Sequence, residues 1–224
     1  FGTMALLTTA AAGVSWRTDW ADTPRWNGSL LDFWDDFSDD GRLRPRKRSA
    51  AANPTATLAV RVKLKPGQTR EIQFLITWHF PNRGIWFAFS PRPNAKAVHP
   101  RVGNYYAGQY RDAWHVASRT VAELPALRAG TIRFLRAFCG SDLPDEVKEA
   151  ALFNLSTLRT QTCFRTSDGN FFGWEGCYDE QGCCHGSCTH VWNYEQATAF
   201  LFADLSRTMR QVEFVHATDR QGRM

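Results

Sequence analysis

A change of hydrophobic period near residue 100 is the feature that most constrains how this 224-residue chain can fold. Before it, apolar and polar residues alternate over residues 58–64 and again over 72–80. An alternation of this kind predicts half-buried strands. The Pro66-Gly67 pair between the two runs is typical of a turn, so the runs are predicted to pair with each other in antiparallel fashion. A further strand is predicted at residues 3–9.

After residue 100 the apolar residues recur at the helical spacing of about 3.6. A stripe from Tyr106 to Leu124, continued beyond Pro125, predicts a helical connector. A second helix is predicted to be capped by Asp142, and a third to start near Thr189. Residues 16–53, rich in Asp, Gly and Pro, are expected to form long loops.

These patterns predict a β region followed by an α region. The β region is expected at residues 1–100, the helical connector at 101–140, and the start of a second domain at 141–224. The broad apolar stripes of the helices need partners, so the chain is expected to be a piece of a longer protein.

The charge is moderately basic, with a formal net value of +5. The densest basic run, residues 42–48, directly follows Asp35, Asp36, Asp39 and Asp40, so opposite charges largely cancel. A solvated loop is therefore expected here, and no nucleic-acid partner. No apolar run approaches the roughly 20 residues that a bilayer span needs, although contact with a membrane surface stays open. The compartment is left open, with the cytoplasm favoured.

The segment 170–196 concentrates the reactive side chains, and glycine-rich loops of this kind often carry chemistry. Glu175 stands between Trp174 and Gly176, which is one pattern for a catalytic carboxylate in an aromatic-walled pocket. The rival is a zinc site drawn from Cys177, Cys183, Cys184, His185, Cys188 and His190. Structural zinc usually takes two short ligand pairs, and only Cys184 and Cys188 form one, so no metal is assigned.

Aromatic side chains are abundant, with nine Trp and sixteen Phe. Large aromatic surfaces often line clefts that stack sugar rings, and Trp174 and Trp192 would suit such a platform. A non-catalytic carbohydrate-binding module is therefore an alternative function, and a metal-stabilised interaction domain is another.

Several segments together resemble glycoside hydrolase family 116, which includes β-glucosidases and glucosylceramidases. Phe-Phe-Gly-Trp-Glu-Gly and the run from Cys188 to Ala197 are the sharpest of them. The others are residues 64–69, 77–83 and 205–210. The resemblance covers most of the chain from about residue 55 onward.

The resemblance implies part of an N-terminal β-sandwich followed by the first helices of an (α/α)6 barrel. It implies retaining hydrolysis of β-glucosides, including glycolipids of the glucosylceramide kind, without a cofactor. Glu175 matches the family's nucleophile, and Trp174, Thr189, His190 and Trp192 are expected to contact the sugar. Relatives carry an aspartate where this chain has His190, and Thr189 suits a helix N-cap equally well.

Retaining glycosidases need a second carboxyl group about 5–5.5 Å from the nucleophile to act as acid and base. Asp179, Glu180 and Glu195 lie nearby in sequence, but none of them matches the family's acid. The resemblance implies that this group lies downstream, in the rest of the barrel, so the present piece alone is expected to hydrolyse little.

Overall fold

The computed structural model describes residues 2–20, 28–46, 55–84, 100–177, 182 and 193–223, with side chains in the last range from residue 197. The strands in these ranges are β1 Thr3–Thr8, β2 Val14–Arg17, β3 Thr57–Val60, β4 Phe74–His79, β5 Cys163–Arg165 and β6 Phe171–Gly173. The helices are α1 Gly28–Asp40, α2 Ala113–Cys139, α3 Asp145–Phe153, α4 Asn193–Leu201 and α5 Ala203–Gln211. Strands thus dominate the first part of the chain and helices the second, as predicted.

The chain divides into two compact units. We name Met4–Trp78 the strand unit, and Phe1–Thr3 together with His79–Met224 the helical unit. Among the described residues, no helix combines the length and the apolar character needed to cross a bilayer.

The strand unit contains two two-stranded sheets, and their pairing corrects one prediction. β2 pairs antiparallel with β3, and β1 pairs with β4. Each alternating run thus overlaps a strand, the first only over residues 58–60 and the second over 74–79, but the two strands do not pair with each other. The turn between them is local, with Gln68 N donating to Lys65 O at 3.0 Å. A period of two identifies a strand but carries no information about its partner, and here each run pairs with an earlier segment.

The helix α1 overturns the expectation of long loops between residues 16 and 53. Phe33 stacks on Trp20 at 4.7 Å and on Phe37 at 5.8 Å between ring centroids. The buried side chain of Arg17 binds both Asp32 and Asp36, which lie one helical turn apart. These tertiary contacts outweigh the low helix propensity of the segment's aspartates.

The helices of the second unit follow the predicted stripes with two corrections, which concern the cap of α3 and the third helix. α2 is one continuous 27-residue helix that runs through Pro125, and its N-cap is Asp112, which accepts from His115 N at 2.7 Å. Asp142 does not cap α3, because that helix begins three residues later, after Pro144. The third predicted helix is two helices, interrupted at Phe202, and its predicted start at Thr189 lies outside the described residues.

A small core in the helical unit fixes the hairpin formed by β5 and β6. Cys163 and Phe171, one from each strand, are buried against Met209 of α5. Leu158 and Leu205 pack against this cluster. The hairpin is thereby held on α5, and the chain segment that follows β6 starts from a fixed position.

Candidate active site

The β5–β6 hairpin positions Glu175, the candidate nucleophile. Its strands pair in antiparallel register with Cys163 opposite Gly173. The Trp174 backbone N–H donates to Thr162 O at 2.8 Å, so the pairing continues one residue beyond β6. Glu175 is the first residue after this last hydrogen bond.

The tight turn of the hairpin is organised by Asp168. Its carboxylate accepts from the Thr166 hydroxyl at 2.5 Å, from Asn170 N at 3.2 Å and from Asn170 Nδ2 at 2.9 Å. The bond from Thr166 is the main reason why the pKa of Asp168 lies below its ordinary value, although burial opposes it. Gly169 has a φ of 93°, a conformation that glycine adopts at little cost. The carboxylate of Asp168 thus stabilises the turn, and its lowered pKa makes it unsuited to donate a proton.

Trp174 anchors the start of the loop that follows the hairpin. Its side chain is only 4% exposed, and its ring centroid lies 4.6 Å from that of Phe164. Gly182 faces the indole so closely that a Cβ built there would lie 2.1 Å from two ring carbons. Cys177 and Gly182 form an isolated antiparallel bridge. These contacts fix Trp174, while its predicted contact with a sugar stays a prediction.

Arg83 lies over the same aromatic cluster, and sequence reasoning did not single it out. Its guanidinium carbon is 4.5 Å from the centroid of Phe164 and 5.9 Å from that of Trp174. Its Nε donates to Asn104 Oδ1 at 2.7 Å, and burial lowers its pKa from the ordinary value. A cation over these rings stabilises their packing. The one sequence feature that could have indicated a role for Arg83 is its position at the end of the motif at residues 77–83.

The backbone of Arg83 is also tied to the hairpin. Arg83 O accepts from Val102 N at 2.9 Å, next to a bridge between Gly84 and Arg101. Val102 O in turn accepts from Ser167 N at 3.2 Å and from Ser167 Oγ at 2.6 Å. Two segments far apart in sequence therefore support the aromatic cluster beside Glu175.

Glu175 itself is exposed, directly after the buried Trp174. At the neighbouring Gly176, a Cβ would meet no described atom within 4 Å, so the backbone position after Glu175 faces open space. Glu175 is thus an exposed side chain on a backbone that is fixed on its N-terminal side.

The other predicted residues of this site, Thr189, His190 and Trp192, lie outside the described residues. Of the rival zinc ligands, only Cys177 is described; its thiol is exposed, with Sγ 3.9 Å from Thr162 Oγ1. In the described part of the chain, no three His, Cys, Asp or Glu side chains are grouped so that they could hold a metal ion.

Substituting Gly182 with Ala should destabilise the protein by about 1–3 kcal/mol, because the new methyl group overlaps the buried indole of Trp174. Urea unfolding measures the effect. Gly176→Ala is the matched control, since its methyl group enters open space, and it should leave the midpoint nearly unchanged. Equal midpoints for the two variants would show that Trp174 is not held against Gly182.

Residues 1–127 match the sequence model of a family described as beta-glucosidase 2, glycosyl-hydrolase family 116 N-term. The match covers more than half of the chain and ends inside α2, before the hairpin and Glu175. No curated protein matches the chain.

Proposed function

Because the chain belongs to glycosyl-hydrolase family 116, we propose that it is part of a retaining β-glycosidase whose nucleophile is Glu175. The substrates are β-glucosides, with glycolipids of the glucosylceramide kind among them. The observation that carries the proposal is an exposed carboxylate that directly follows a strand pair and an anchored tryptophan.

The chemistry needs an ionised Glu175 that attacks the anomeric carbon. The glycosidic bond breaks as the carboxylate forms an ester with the sugar, and a second carboxyl group protonates the departing oxygen. Water then cleaves the ester, and the second group takes up its proton. Two inversions give net retention of configuration.

The proton donor in this proposal comes from outside these 224 residues, in the remaining part of an (α/α)6 barrel. Asp168, in the turn at the other end of the hairpin, does not supply it, since three hydrogen bonds hold its carboxylate within the turn. A proton donor needs a raised pKa, and the pKa of Asp168 is lowered.

The surrounding residues have supporting roles in this proposal. Trp174 and Arg83 position the loop, through the packing of the indole and the cation over the rings. Thr189, His190 and Trp192 contact the sugar; their place in the sequence shortly after Glu175 supports this.

Trapping of the covalent intermediate tests the proposal. A 2-fluoro glucosyl inhibitor with a good leaving group should label the full polypeptide once, because fluorine slows both formation and hydrolysis of the ester, while the good leaving group restores only its formation. The label is expected on the tryptic peptide of residues 166–207, and fragmentation should place it on Glu175. A label on another residue, Asp179 or Glu180 included, would refute the assignment.

A further inference from the structure

The strand unit contains a cavity that the proposed reaction does not use. It lies between β2 and the segment that follows α1, and its volume is about 500 Å³. Cavities of a few hundred Å³ are the usual size for small-molecule sites. Trp16, Arg42 and Arg61 are among the residues that line it.

Most of the basic residues near this cavity are already neutralised. The acidic face of α1 binds three of them: Arg17 contacts Asp36, Arg44 Nη1 lies 2.5 Å from Asp36 Oδ1, and Arg46 Nη1 lies 2.6 Å from Asp32 Oδ2. The predicted cancellation of the acidic and basic runs is therefore real for these arginines.

Arg42 and Arg61 are different. Both are exposed, and neither forms an ion pair with any described residue. Among the described residues that line the cavity, Asp40 carries the one carboxylate; it accepts from the Arg42 backbone N–H at 2.9 Å and lies 3.7 Å from Arg44 Nη2. The cavity thus keeps an excess of positive charge.

The third contributor is an exposed indole. Trp16 is 54% exposed although it lies in the middle of β2, opposite Leu58. An indole face stacks against the C–H face of a pyranose, and a guanidinium presents two parallel donors to a carboxylate or phosphate. The combination suits a sugar ring that carries one acidic group.

We propose that this cavity binds an acidic sugar, a hexose bearing a carboxylate or a phosphate group. Arg42 and Arg61 bind the acidic group and Trp16 stacks on the ring. The site is distinct from Glu175 and does not depend on the proposed hydrolysis.

Calorimetric titration of the intact protein tests this with four probes: methyl β-D-glucuronide, glucose 1-phosphate, methyl β-D-glucoside and inorganic phosphate. At least one acidic sugar should bind about tenfold more tightly than both the neutral glucoside and inorganic phosphate. The stronger of the two acidic sugars identifies the acidic group. If inorganic phosphate binds as tightly as the acidic sugars, the site does not recognise the sugar ring. If the glucoside binds as tightly, the arginines do not recognise an acidic group. No binding of either acidic sugar below about 10 mM would overturn the site.

Variants locate the binding. Arg42→Gln and Arg61→Gln should each weaken the acidic sugar about tenfold, whereas Arg207→Gln, an exposed arginine in the helical unit, should leave it unchanged. Trp16→Ala should weaken the acidic sugar and the glucoside alike. Circular dichroism checks that each variant folds. If Trp16→Ala does not fold, the affinities of the two arginine variants still test the proposal. Unchanged affinity in both arginine variants would place the ligand elsewhere.

Discussion

Replacing Glu175 with Gln should lower kcat/KM for an aryl β-glucoside by about 10⁴-fold or more, because a neutral amide is a poor nucleophile and forms no ester with the sugar. The measurement uses the full polypeptide that contains this chain. Glu123→Gln is the matched control: this glutamate lies on the surface of α2, 48% exposed, and contacts only Arg119 among the described residues. It should change kcat/KM less than about twofold.

Rescue by a small anion distinguishes a nucleophile from a merely structural carboxylate. Glu175→Ala removes the side chain and leaves space in which azide can attack the anomeric carbon from the same side. A single displacement inverts the sugar, so an activated β-glucoside should give the α-glucosyl azide. If the variant keeps more than a tenth of the activity, or if azide yields only the β product, Glu175 is not the nucleophile.

Replacing Asp36 with Asn should destabilise the strand unit by about 3 kcal/mol. The side chain of Arg17 is fully buried, and Asp36, itself only 9% exposed, binds it together with Arg44. Asp32, at 3.5 Å from Arg17 Nη1, is the one anionic partner that remains among the described residues. A buried guanidinium that loses its main counter-charge is costly, and the loss appears in the free energy of unfolding in urea.

Asp39→Asn is the control for this pair. Asp39 is 70% exposed and lies 3.5 Å from Arg44, so the interaction is screened by water and its loss should not move the urea midpoint measurably. If Asp36→Asn and Asp39→Asn have the same midpoint, Arg17 does not depend on Asp36.

The same pair should make stability depend on pH. Burial by itself raises the pKa of Asp36, but the hydrogen bond from the Arg44 backbone and the charge of Arg17 outweigh it and bring the pKa below its ordinary value of 3.8. A group with a lowered pKa in the folded state stabilises the protein above its unfolded pKa and loses this contribution as the pH falls through the folded value. The stability difference between Asp36→Asn and the unchanged protein should therefore shrink below about pH 4.

The elements of the fold were largely predictable from the sequence, and their partners were not. The runs at residues 58–64 and 72–80 overlap β3 and β4, yet each of these strands pairs with a strand that precedes it. The sequence of a short strand does not determine its register or its partner, because local turn signals compete with contacts that are distant in sequence. α1 was missed for a related reason: its apolar and acidic stripes make sense only once Trp20 and Arg17 lie beside them.

The candidate site shows the same limit. The sequence alone indicated that Trp174 and Glu175 belong to one site, and its motifs indicated the family. The match over residues 1–127 confirms the family. The sequence did not predict that Arg83, Val102 and Ser167 support the site. These residues are distant in sequence and come together only through hydrogen bonds formed in the folded unit. The role of Glu175 stays a prediction that the experiments above decide.

The bridge between Gly84 and Arg101 bears on how such a protein can evolve. The bridge clamps both ends of the interval between the two residues, and the entropic cost of closing an interval of chain rises by only about 0.6 kcal/mol when its length doubles. Insertions or deletions between the clamped ends can therefore accumulate without shifting Arg83 or the hairpin to which it is tied. Among homologues, the number of residues in this interval should drift freely while the spacing from Arg101 to Asn104 is kept.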